Sequence, residues 1–272
     1  PKKGYMLNGM PDILNEYEIG YNLNTKIVGR NIKYLDSVDS TNRYAKKIAA
    51  EGCEDGTIVV ADSQTSGRGR LGRDWNSQKG KGIWMSVILK PVIPPEDVHI
   101  ITLAASVAVV CTLRDITGIE VGIKWPNDII LDGKKVCGIL TEMSSEVEKI
   151  NYLTLGIGIN VNHSPNDFPE ELKEVATSLK IYVDENEPCD SVKQSGFNRS
   201  NIIKKLLLEI ERIYNIINEG NIKVIIEEWK KYSLTLGKRV RLMIKNCEHT
   251  GTAVDIADNG QLIVQCDDGV TR

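Results

Sequence analysis

Histidine is scarce in this sequence: His99, His163 and His249 are the three in 272 residues, and none lies in a motif that could carry chemistry. A Ser/His/Asp or Cys/His relay therefore has no support, and no covalent enzyme intermediate is expected. The six cysteines, at 53, 111, 137, 189, 247 and 266, never fall at C-x-x-C spacing. That excludes a zinc ribbon and a thioredoxin-like motif. Cys111 and Cys137 sit in apolar runs and read as small buried hydrophobes, and reduced thiols point to a cytoplasmic protein. Phenylalanine occurs twice and the formal net charge is -3. A whole-chain basic footprint for nucleic acid is absent, and aromatic stacking platforms are few. No signal peptide is visible. The longest apolar stretch, residues 98–113, is interrupted by His99, Thr102, Ser106 and Thr112. It reads as a buried helix, too short and too polar for a bilayer.

The hydrophobic content of 41% is enough for one large domain and a small one. Residues 1–31 are polar and glycine-containing, with a short strand candidate at 2–7. Strands are expected at 32–35, 57–61, 83–89, 121–125, 128–131, 135–142 and 152–161. A helix should open at Ser40-Thr41-Asn42, whose hydroxyls suit an N-cap, and close at Gly52. Residues 97–116 predict a helix buried all round. Asp132-Gly133 is a strong hairpin signal. A short helical piece is expected around 169–179, a mobile loop over 184–198, and amphipathic helices at 201–217 and 222–232. From Gly237 the period becomes two, with strands at 239–244, 250–256 and 262–265 and turns at Asn259-Gly260 and Asp268-Gly269. Pro1 in place of methionine, and a strand-like pattern still running at Arg272, suggest a longer parent.

Three motifs carry the chemistry. Gly67-Arg68-Gly69-Arg70-Leu71-Gly72-Arg73 combines a backbone that can approach a ligand closely with guanidinium forks suited to carboxylate and phosphate. Fixing about seven residues costs on the order of 7–14 kcal/mol. The loop is therefore expected to order only when ligand supplies that energy. Trp75 follows and could stack on a nucleobase. In Lys124-Trp125-Pro126-Asn127-Asp128 the proline ends a strand, leaving Asn127 and Asp128 at its tip. Asp128 suits Mg²⁺ and Lys124 suits phosphate. In Lys135-Val136-Cys137-Gly138-Ile139-Leu140 a lysine precedes a strand whose glycine marks a close approach.

These motifs, with Asp39-Ser40-Thr41-Asn42, Gln64 and Gly156-Ile157-Gly158-Ile159-Asn160-Val161-Asn162, stand in the order found in biotin–protein ligases, and the sequence resembles that family over residues 32–272. The resemblance implies an α+β fold: a mixed sheet flanked by helices, like a class II synthetase, over residues 32–236. A small SH3-like barrel over 237–272 follows. It implies that biotin and ATP give biotinyl-5′-AMP and pyrophosphate, and that a lysine of a biotin carrier protein then takes the biotin. By matched position Ser40, Thr41, Asn42, Gln64, Gly67, Arg68, Gly69, Arg70, Lys135 and Gly138 would contact biotin. Arg70 and Lys135 would act in catalysis. Arg73, Trp75, Lys124 and Asn127 would serve ATP, and Asp128 would hold Mg²⁺.

Residues 1–31 resemble the end and linker of the winged-helix domain of bifunctional members, which also repress transcription. This chain is expected to bind operator DNA poorly, since DNA binding would need the full domain. Homodimerisation is implied by the resemblance alone. Two anions meet when a carboxylate attacks the α-phosphate, so such a site needs cations more than a nucleophile. The alternatives are a lipoate–protein ligase, a biotin-sensing repressor with weak ligase activity, and an RNA-binding protein using the arginine/glycine loop.

Overall fold

Alternating and continuous apolar runs become strands where turn residues bound them, and longer runs become helices. The computed structural model describes residues 12–146, 149–186, 196–245 and 247–272. Seven strands form the main sheet: β1 (Ile32–Leu35), β2 (Ile58–Ala61), β3 (Gly82–Leu89), β4 (Gly122–Lys124), β5 (Asp128–Leu131), β6 (Lys134–Ser145) and β7 (Ile150–Asn160). Their spatial order is β1-β2-β3-β7-β6-β5-β4. β1 and β2 run parallel, and the other neighbouring pairs are antiparallel. The described helices are α1 (Glu16–Gly20), α2 (Thr41–Ala50), α3 (Val98–Thr117), α4 (Leu179–Asn186), α5 (Arg199–Asn218) and α6 (Ile222–Tyr232).

The sheet is covered on both faces, and β2 shows how. Ile58 and Val60 join the large core that contains α3, α5 and α6, while Val59 points the other way onto Ala45 and Ala49 of α2. That is the period-two alternation of a strand. α3 is buried nearly all round, as expected, and Gly118 ends it in the left-handed conformation at φ 69°. With its preceding turn, Pro95–Thr117 is long and apolar enough to cross a membrane. That corrects the reading of the run as too short and too polar. Its burial against β6, α5 and α6 makes it a core helix. Asp132 and Gly133 both take positive φ, 47° and 76°, and close the β5–β6 hairpin as the sequence predicts.

Three local expectations change. Ser40 occupies the N-cap of α2 without a side-chain capping bond. The helical piece placed at 169–179 is a short turn at Glu170–Leu172, and the helix α4 begins only at Leu179. Residues 184–186 are helical, whereas 187–195, the bulk of the expected loop, lie outside the described residues, as does the strand candidate at 2–7.

Three further strands, β8 (Arg239–Ile244), β9 (Cys247–Ile256) and β10 (Leu262–Cys266), form an antiparallel sheet in the order β10-β9-β8. This small sheet fits an SH3-like unit. Gly260 and Gly269 supply positive φ at its turns. Trp125 ties it to the main sheet, donating through Nε1 to the Gly260 carbonyl at 3.3 Å.

Residues 14–28 are more than a tether. Leu14, Ile19, Leu23 and Val28 are buried in the main core. Glu211 of α5 accepts from the backbone N–H of Lys26 at 2.7 Å, of Ile27 at 2.7 Å and of Val28 at 2.9 Å. Burial alone would raise the Glu211 carboxyl, but the Ile27, Lys26 and Val28 donors outweigh it and hold it below the ordinary glutamate value. A depressed folded-state pKa stabilises the fold above the unfolded value and loses that effect as pH falls through the folded value. Glu211→Gln is therefore expected to cost about 1–3 kcal/mol at neutral pH. The gap from wild type should close below about pH 4. Urea unfolding of both proteins across that range measures it.

Candidate active site

The floor of the site is a patch of sheet without side chains. Gly138 of β6 pairs with Gly158 of β7, and Gly156 lies two residues along β7 on the same face. A Cβ on Gly158 would come within 2.5 Å of Trp75 Nε1, one on Gly138 within 2.9 Å of the Trp75 ring, and one on Gly156 within 2.4 Å of Asn42 Oδ1. The three glycines therefore let an indole ring and an amide lie against the backbone. The buried Trp75 Nε1 has no hydrogen-bond partner among the described residues.

Beside this floor, the first turn of α2 is wired into a polar network. Gln64 Oε1 accepts from the Thr41 backbone N–H at 2.8 Å and lies 3.1 Å from Thr41 Oγ1. It thus takes the capping job that the Ser40 hydroxyl leaves undone. Ser86 of β3 reaches Asn42 Oδ1 at 2.6 Å and Thr41 Oγ1 at 2.8 Å. Gln64 Nε2 donates to Ser77 Oγ at 2.8 Å, and Ser77 in turn donates to the Trp75 carbonyl at 3.0 Å.

The glycine/arginine run forms a hydrogen-bonded hairpin where the sequence suggests a loop ordered only by ligand. Gly69 N donates to the Arg73 carbonyl at 2.7 Å, and Trp75 N to the Gly67 carbonyl at 2.9 Å. Arg70–Gly72 form the tip, with Leu71 at φ 57° and 90% exposed. Ladder bonds thus meet part of the ordering cost within the protein.

The opposite wall comes from β4, β5 and β6. The Trp125–Pro126 peptide is cis and lies in the turn between β4 and β5. Asn127 is buried, and its amide is doubly used: Nδ2 donates to the Ile139 carbonyl and Oδ1 accepts from Arg70, each at 2.9 Å. Lys135 Nζ pairs with Asp128 at 2.7 Å and stands 5.2 Å from the Trp75 ring centroid. Burial raises the neighbouring Cys137 thiol far above its ordinary value, so that thiol is not a nucleophile.

All these elements surround one cavity of about 1120 Å³. It is lined by Ser40, Thr41, Asn42, Gln64, Arg68, Gly69, Arg70, Arg73, Trp75, Lys124, Asn127, Asp128, Lys135 and Gly138. Gly67 is the one sequence-predicted site residue outside the lining. Its own hairpin explains its composition: a Cβ there would come within 2.4 Å of the Trp75 carbonyl and 2.7 Å of Ser77 Oγ. Eight lysines and arginines line the cavity against three carboxylates, which favours an anionic ligand. Lys238, Arg239 and Arg241 belong to that surplus; they come from β8 and the residue before it, and no sequence motif announces them. Gly156 and Gly158 were legible as a motif without a role, since alternate glycines on a strand share one face. Among the described residues no group of three His, Cys, Asp or Glu side chains could hold a metal by itself.

Comparison with known proteins agrees with this geometry. The Biotin/lipoate A/B protein ligase family matches residues 34–160, and the Biotin protein ligase C terminal domain matches residues 235–272. The chain is 41% identical over 271 residues to the Bifunctional ligase/repressor BirA of Bacillus subtilis, covering 100% of this chain and 80% of that protein. It is 32% identical to the Biotin--[acetyl-CoA-carboxylase] ligase of Mycobacterium tuberculosis, covering 86% and 82%. A solved structure of the biotin protein ligase from Aquifex aeolicus in complex with biotin and ATP superposes with a TM-score of 0.73 at 31% identity, covering 89% of this chain and 94% of that one. With its bare-floored, cation-rich cavity and these relatives at such coverage, the chain belongs to the biotin protein ligases.

Proposed function

We propose that this chain activates biotin with ATP to biotinyl-5′-AMP and passes the biotin to a lysine of a carrier protein. The observation that carries the reading is the single cavity, which joins a polar pocket at the α2 N-terminus to a surplus of cations at its mouth. Ser40, Thr41, Asn42 and Gln64 would hold the biotin head over Gly138 and Gly156. Arg68, Gly69 and Arg70 would cover the tail and the adenylate. Trp75, Arg73, Lys124 and Asn127 would serve the nucleotide.

Lys135 is suited to the step in which the carboxylate approaches the α-phosphate, because two negative groups must be brought together. Its present partner Asp128 is one of two groups competing for its charge; the incoming anion would be the other. Arg70 leans on Asn127 and is suited to shielding the mixed anhydride from water. A Mg²⁺ that travels with a nucleotide needs only one or two protein carboxylates. Asp128 would supply one, and the ion would offset phosphate charge.

The five described cysteines are unpaired, which supports action in the cytoplasm. Repression of transcription by a parent with a complete winged-helix domain, and homodimerisation, belong to the same proposal. The BirA proteins of Bacillus subtilis and Escherichia coli are named bifunctional ligase/repressors, and the chain spans about 80% of their length.

Calorimetry with biotin, then ATP and Mg²⁺, with pyrophosphate release followed in parallel, tests the reading. Lipoic acid is the control. Biotin should bind and pyrophosphate should follow only when ATP is added; heat from lipoic acid instead of biotin would refute it. Lys135→Ala is expected to slow adenylation about 100- to 1000-fold while biotin still binds. Single-turnover pyrophosphate release at the wild-type rate would remove that role. Arg70→Gly should let the adenylate escape into solution, and a trapping assay that finds it fully retained would contradict the shielding role.

A further inference from the structure

Glu142 lies four positions beyond Gly138 on β6, so its side chain leaves the same face of the strand. Asn42 and Lys46, one turn apart on α2, both reach it. Asn42 Nδ2 donates to Glu142 Oε2 at 2.9 Å, and Lys46 Nζ pairs with the other carboxylate oxygen. The Asn42 amide has two ends of opposite polarity and is buried. A carboxylate only accepts hydrogen bonds, so Glu142 must face the Nδ2 end. The weaker bond from Nδ2 to the Leu140 carbonyl, at 3.3 Å, has the same sense. Oδ1 is thereby turned to the Ser86 hydroxyl at 2.6 Å and to the bare backbone of Gly156.

We propose that Glu142, held by Lys46, is a positioning residue that fixes the direction of the Asn42 amide and so presents Oδ1 to a ligand N–H at the cavity floor. The inference rests on the biotin reading above. A cyclic urea carries N–H donors that match an acceptor there. Were the amide reversed, Nδ2 would face the ligand N–H at the floor, donor against donor, and the Ser86 hydroxyl, which accepts as well as donates and has Thr41 Oγ1 as a second partner, would not prevent it. A ring bearing sulfur in place of the urea has no N–H to offer. The same device therefore selects against it, because the second lone pair of a buried acceptor, the one Ser86 does not use, would be left without a donor.

The test uses Glu142→Gln, an isosteric change that can accept or donate and so releases the amide to turn. The Kd and KM for biotin should rise about 10- to 100-fold. The KM for ATP, the rate at saturating biotin and the unfolding midpoint should stay near wild type, a split that a general loss of structure would not give. Lys46→Met should shift biotin affinity in the same direction by less. In an Asn42→Ala background Glu142→Gln should add almost nothing, because the two changes act through one contact. Wild-type biotin affinity in Glu142→Gln would overturn the proposal alone. A loss that persists undiminished in the Asn42→Ala background would do the same. A wild-type protein that does not bind biotin would overturn the functional reading and this inference with it.

Discussion

Three missing β-carbons govern the rest of the site. At Gly138, Gly156 and Gly158 the sheet exposes backbone where side chains would otherwise stand. Any other residue at Gly158 or Gly138 would displace the Trp75 ring, and any other at Gly156 would displace the Asn42 amide. The first turn of α2, the glycine/arginine hairpin and the β5–β6 wall meet around that bare strip because it leaves room for them. Close packing elsewhere in the two cores gives the strip its rigidity, since interiors at crystal-like density deform little.

Polar groups brought this close must find partners, and the network around Asn42 shows how they do. Gln64, Thr41, Ser86, Asn42 and Glu142 come from α2, from two strands and from the loop after β2. An unpaired member would cost about 1–3 kcal/mol. The chain of donors and acceptors therefore specifies one arrangement of these elements more sharply than apolar packing would.

Legibility from sequence divided along the same line. The seven strands of the main sheet, the buried helix, the β5–β6 hairpin and the two late helices follow from local periodicity and turn residues, and they appear within a few residues of their expected bounds. Ordered motifs located all but one of the expected lining residues. What failed depends on contacts distant in sequence. Gly67 stands outside the cavity lining because its hairpin closes against Trp75 and Ser77, a placement its motif does not disclose. The Ser40 hydroxyl is the cap that local sequence points to, but Gln64, 23 residues from Thr41, makes the bond. Residues 14–28 have no periodicity that announces burial, yet Glu211 grips them from 185 residues away at Lys26. Nothing local marks Lys238 or Arg241 as part of the cavity.

Two cations at the heart of the site already have protein partners. Lys135 rests on Asp128 and Arg70 on Asn127. Capture of an anion is thus an exchange of one partner for another, and its net free energy is smaller than the new contact alone. Run backwards, the same exchange eases departure, because each cation has a protein acceptor to return to. An enzyme that must let go of a phosphate-bearing product on every cycle gains turnover from this moderation, at some expense in grip.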